Sequence, residues 1–138
     1  MKSVTLLFLF SIICFNTNAD DSTLIIVANT KSAPIDIEKR QVRDIFMGNN
    51  SSIPLLPVAL SPKSPVRFLF NTKIVGLTES RIQSYWAQMR FSGRNKPPQE
   101  FDSVDSLLAY VQNNEGTITY LPSTMDIPDG LTVIYSTE

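Results

Sequence analysis

An α/β domain of about four strands with flanking helices is predicted by three observations. Short apolar runs of strand length recur, the stretches between them carry apolar residues at helical spacing, and Gly or Pro punctuates most junctions. "TLIIVAN" (23–29) is a nearly continuous apolar run and suits a buried strand. "PIDIEKRQVRDIFMG" reads as a helix capped by Asp36, with Val42, Ile45 and Phe46 on one face and Gly48 as the stop. "IPLLPVAL" (53–60) is a second strand, which Pro54 and Pro57 push toward a sheet edge or a strand start. Two helices follow: Val66, Leu69, Phe70 and Ile74 form one stripe before Gly76, and Ile82, Tyr85, Trp86 and Met89 form another after Thr78. "FSGRNKPPQE" (91–100) has no apolar period and is expected to be a loop. Val104, Leu107, Leu108 and Val111 mark the last helix, capped by Asp102 or Ser103 and ended by "NNEG". "TITYL" (117–121) and "LTVIY" (131–135) close the chain as strands, joined through Pro122, Pro128 and an Asp129-Gly130 turn.

A length of 138 residues fits one domain. The first 19 residues have the pattern of a cleaved leader: Lys2, the apolar stretch Val4 to Phe15, and "NTNA" before Asp20. The apolar stretch is well short of the roughly 20 residues that span a bilayer, so export with cleavage after Ala19 is expected, with no membrane insertion afterwards. Residues 20–138 then form the domain. Cys14 would leave with the leader, and Ile12 and Ile13 before it are unlike the small residues of a lipid-attachment signal. What remains has no cysteine and no histidine, which excludes a disulfide framework, a thiol nucleophile, a Cys/His zinc site and an imidazole base.

The formal net charge is −1, and becomes −2 when Lys2 departs, so affinity for an anion must be local and nucleic acid is not an expected partner. One place stands out. If Ser64 caps a helix in "SPKSPVRFLF", Pro65 takes the first helical position and Arg67 the third, with Lys63 just ahead. Cations are disfavoured at that end of the helix dipole, and residues 61 to 70 hold no acid to balance them. By contrast, the helix after Thr78 has Glu79 ahead of its own Arg81. A bound anion would resolve the imbalance through backbone N–H groups, the Ser64 hydroxyl and a guanidinium able to bond two oxygens. The other resolution is that Arg67 points into solvent or pairs with a distant carboxylate. On the anion reading, Arg67→Glu is expected to raise thermal stability and abolish any anion-induced shift in melting.

"VRDIFMGN", "LPVALSPKSPVRFLFNTKIVG", "YWAQMRFSGRNKPP" and "EGTITYLP" resemble, in order and spacing, the landmarks of small periplasmic phosphate-binding-protein-like domains, relatives of the substrate-binding proteins of phosphate ABC transporters. The resemblance runs from about residue 24 to 135. It implies a single lobe, one half of a type II periplasmic binding protein, acting in the periplasm on phosphate or a similar oxyanion, in uptake or sensing. Carried onto this chain, it places Ser64 and Arg67 at the ligand, with Lys63 beside them and Val66 as a backbone donor. The polar loop after the first strand, Asn29, Thr30 and Ser32, would form a second wall. The chain has Ser64-Pro65-Val66 where larger relatives have Ser-Gly-Thr, so one N–H and one hydroxyl are missing. The alternative is an interaction domain that kept the fold without the ligand and docks on a membrane transporter, a sensor or another exported partner.

Other features read as structural. Tyr85 and Trp86 lie on an apolar stripe and are expected in the core, Arg90, Arg94 and Lys96 form a solvated face, and Asp126 and Asp129 belong to turn chemistry rather than a metal site. Glu100, Asp102 and Asp105 are the carboxylates an enzyme would need, but the latter two read as cap and first-turn charges, so neither catalysis nor a cofactor is expected.

Overall fold

The computed structural model describes residues 22–31 and 35–138, so the leader and Ser32 lie outside the described residues. Five strands and four helices follow in the order β1 (Leu24–Ala28), α1 (Lys39–Phe46), β2 (Leu56–Leu60), α2 (Pro65–Phe70), α3 (Glu79–Phe91), β3 (Gln99–Phe101), α4 (Val104–Asn113), β4 (Thr117–Pro122) and β5 (Thr132–Ser136). They form one mixed sheet ordered β3-β2-β4-β1-β5. β2 runs parallel to β3 and β4, whereas β1 is antiparallel to both of its neighbours, β4 and β5.

β1 is buried along its whole length and β4 from Thr117 to Leu121, as expected of strands covered on both faces. Phe46 from α1, Phe70 from α2 and Tyr120 from β4 fix the middle of the core. The Phe70 and Tyr120 rings stack at 4.0 Å, and Phe46 meets Phe70 at 4.6 Å. Trp86 is buried, and the half-buried Tyr85 donates its hydroxyl to the Met47 carbonyl at 2.7 Å, so both aromatic side chains serve packing as expected.

Three expectations are corrected. Asp36 does not cap α1: Ile37 is buried and donates its N–H to the Ile134 carbonyl on β5, which keeps the chain extended until Glu38. The helix starts there, and Gln41 accepts the Glu38 amide at 2.8 Å. Second, β2 is an interior strand and not an edge, whereas the other option, a strand start, holds: Pro57 is its second residue. Third, part of the expected loop is β3, a three-residue edge strand that exists because Val58 to Leu60 offer it a parallel partner, not because "QEF" has strand character of its own. α3 also runs on to Phe91, whose side chain is exposed.

After Phe70 the helix widens into a π-helical segment, Asn71–Val75, closed by the Gly76 N–H on the Asn71 carbonyl at 2.7 Å, with Gly76 at φ 73°. Asn71, Ile74 and Val75 are all buried. The extra residue in that turn lets an amide and two aliphatic side chains face inward together.

Candidate functional site

The last residue of β2, Leu60, leads into a four-residue loop and the start of α2. Ser61 donates its N–H to the Phe101 carbonyl of β3 at 2.8 Å, and Ser64 donates its own back to Ser61 at 3.0 Å, closing a turn. Ser64 is the N-cap: its backbone is extended and its Oγ accepts from the Val66 N–H at 3.2 Å. Pro65 holds the first helical position, as the sequence predicts. Beside this turn lies an open groove of about 480 Å³ lined by Leu60, Ser61, Lys63, Ser64, Pro65, Asp102 and Val104. Lys63 and Ser64 are therefore brought together.

Arg67 is not brought into that groove. Its side chain is only 8% exposed and turns under the helix, where Nε and Nη2 donate to Glu79 at 3.0 and 2.6 Å. Nη1 donates to the Leu60 carbonyl at 2.8 Å, with Glu100 a further 3.6 Å ion-pair partner. Glu79 also accepts from Asn71 at 2.6 Å and Gln83 at 2.8 Å. The cation that the sequence left unbalanced is thus balanced by the residue that served as the contrasting case, Glu79 at the start of α3. Burial alone would lower the Arg67 pKa, but the Glu79 hydrogen bond and the nearby Tyr120, Glu79 and Glu100 outweigh it and raise it. Glu79 is correspondingly lowered: burial opposes its charge, and the bonds from Gln83, Arg67 and Asn71 prevail. Behind the pair, a small cleft of about 40 Å³ is walled in part by Arg67, Asn71, Trp86, Glu100 and Tyr120.

The proposed second wall is also displaced. β1 is antiparallel to β4, and the Asn29 N–H bonds the Thr117 carbonyl, across from Leu56 at the start of β2. Asn29 and Thr30 consequently sit at the opposite end of the sheet from Ser64. The Asn29 amide donates to the Val111 and Gln112 carbonyls at 2.7 and 3.2 Å, satisfying the end of α4. Thr30 Oγ1 is the buried side-chain oxygen without a hydrogen-bond partner among the described residues.

Asp102 is the groove residue that sequence reasoning assigned elsewhere. Ser103, not Asp102, caps α4, its Oγ accepting from the Ser106 N–H at 3.2 Å, and Asp102 lines the groove. The signal lay in the choice between the two candidate caps: whichever residue did not cap remained available. Arg90, Arg94 and Lys96 are exposed, as expected.

No family model and no curated protein matches the chain. Solved structures do. A protein described as a phosphate ABC transporter substrate-binding protein, with bound phosphate, from Clostridium perfringens superimposes with a TM-score of 0.59 at 18% identity, covering 80% of this chain and 43% of that one. An ABC-type phosphate transport receptor from Vibrio cholerae matches at 0.55 and 16% identity, over 80% of this chain and 44% of the receptor. PstS from Borrelia burgdorferi matches at 0.51 and 8% identity, over 73% and 40%. The fold is therefore that of a periplasmic-binding-protein-like domain, as the order of the sequence landmarks implies. The chain spans less than half the length of these structures.

Proposed function

We propose that the chain is an exported, solute-binding-type module that holds phosphate or a similar oxyanion non-covalently in the groove at the start of α2, in uptake or sensing. The observation that carries this reading is that Lys63 and Ser64 both line one open groove at the end of β2. The fold adds support, since its structural neighbours are described as phosphate-transport proteins, one of them with phosphate bound. In this reading Lys63 supplies the charge, and the Ser64 hydroxyl donates a hydrogen bond while its oxygen holds the Val66 amide. Asp102, an acceptor when ionised, favours an oxyanion that still carries a proton, as hydrogen phosphate does and sulfate does not. Arg67 contributes from beneath the helix instead of by direct contact. Release of the first 19 residues is part of the same proposal.

The test is calorimetric titration of residues 20–138 with phosphate and then sulfate at low ionic strength. Saturable heat with phosphate that disappears in Lys63→Ala supports the reading. No heat up to millimolar phosphate would overturn it.

A further inference from the structure

Two side chains from different elements grip the same residue, on its two successive peptide units, at the rim of the groove. Leu60 donates its N–H to the Tyr120 hydroxyl at 3.0 Å, and its carbonyl accepts from Arg67 Nη1 at 2.8 Å. Leu60 is the last residue of β2, where the pairing of β2 with β4 does not supply these bonds: the paired residues are Leu56 with Thr117 and Pro57 with Ile118. Both ends of the grip are themselves held. Tyr120 is fully buried on a strand flanked on both sides and stacks on Phe70, while Arg67 is fixed by two bonds to Glu79, which Asn71 and Gln83 secure in turn. The next residue, Ser61, is tied to Phe101, so the loop that carries Lys63 and Ser64 leaves a clamped point.

We infer that Tyr120, Arg67 and Glu79 are positioning residues, a buried clamp that fixes the end of β2 and thereby holds the 61–64 loop in one geometry for its ligand. The inference rests on the groove being the binding site. It gives Arg67 a reason to be buried: a cation drawn into the clamp sets the loop's backbone, and Lys63 is left to meet the anion. Sites held by such supporting bonds bind better because less order is lost on binding. Tyr120 is suited to the task. Burial pushes its hydroxyl up to about 12, against the opposing effects of the Leu60 amide bond and of Arg67, so it keeps its proton across the working range of pH.

The experiment compares wild type with Tyr120→Phe, which keeps the ring and deletes the acceptor, and with Glu79→Gln, which keeps the shape and weakens the hold on Arg67. Ile134→Ala on β5 serves as a destabilised control away from the clamp. Amide exchange at Leu60 and phosphate titration are read on each. The expected result is exchange at Leu60 faster by about tenfold and phosphate affinity weaker by about tenfold in both clamp variants, and neither change in the control beyond its general loss of stability. If wild type binds phosphate and the clamp variants bind it equally well, the inference is overturned while the groove reading stands. If wild type binds no phosphate, the groove reading fails, and exchange decides the clamp: faster exchange confined to Leu60 and its loop supports it, unchanged exchange overturns it. Should Tyr120→Phe fail to fold, Glu79→Gln carries the same comparison.

Discussion

Lys63 and Arg67 stand four residues apart in the same turn of chain, and their surroundings are opposite. Lys63, ahead of the cap, opens onto water in the groove, while Arg67, at the third helical position, passes under α2 to a carboxylate twelve residues further along. Helix geometry explains the divergence. Residues of the first turn are rotated by about 100° each, so the third position points back toward the sheet while the residue before the cap lies outside the helix. Two like charges that look equivalent in the sequence therefore have different surroundings: one lines an open groove, the other holds the structure together.

The sharpest break in that comparison is removal of the buried partner. Glu79→Ala leaves the buried Arg67 with the Leu60 carbonyl and, as its one remaining ion-pair partner among the described residues, Glu100 at 3.6 Å, and a loss of about 3–5 kcal/mol in urea unfolding is expected. A loss below about 1 kcal/mol would show that the pair is no more than a surface contact. Arg67→Glu is expected to be at least as damaging, contrary to the stabilisation that the isolated helix start implies.

The pair also sets an acid limit. Because the folded Glu79 titrates below its ordinary value of 4.5, its contribution is complete above that pH and disappears as pH falls through the lower, folded value. Stability of the wild type should therefore fall more steeply below about pH 4.5 than that of Glu79→Gln. Parallel pH profiles for the two would remove Glu79 from the account. Next in size is the cap: Ser64→Ala should lose about 1 kcal/mol, with the change in chemical denaturation accompanied by weaker phosphate binding. Stability lost without any effect on binding would confine Ser64 to capping. The smallest effect on stability is expected at Lys63, where Lys63→Glu should change unfolding by no more than about 0.5 kcal/mol yet abolish a phosphate-induced rise in Tm. A preserved rise would move the anion site elsewhere.

Most of the fold was legible because its elements carry their own patterns. The apolar runs at 24–28 and 117–121, the stripe from Ile82 to Met89, and the Ser64-Pro65 start each declare themselves locally. Pairing between distant segments does not. β3 is three residues whose strand conformation comes from β2, and the antiparallel direction of β1, which sends Thr30 away from Ser64, is a property of the sheet as a whole. The site followed the same division. Lys63 and Ser64 line the same groove because they are neighbours in sequence, whereas Arg67 is drawn away from it because its counter-charge belongs to another helix. Asp102 was overlooked because it competed with Ser103 for the same local role.

The π-helical segment after Phe70 works as a length ruler. One residue more than a regular turn is stored there, and each residue of α-helix corresponds to about 100° of rotation. Deleting a single residue between Asn71 and Val75 would let the turn relax to an ordinary helix, and the two halves would then disagree about which way is inward. Either Arg67 and Phe70 would keep their places and Ile74 and Val75 would swing off the core, or the aliphatic side chains would stay and Arg67 would be carried away from Glu79. The segment thus phases two faces that a uniform helix would leave out of step.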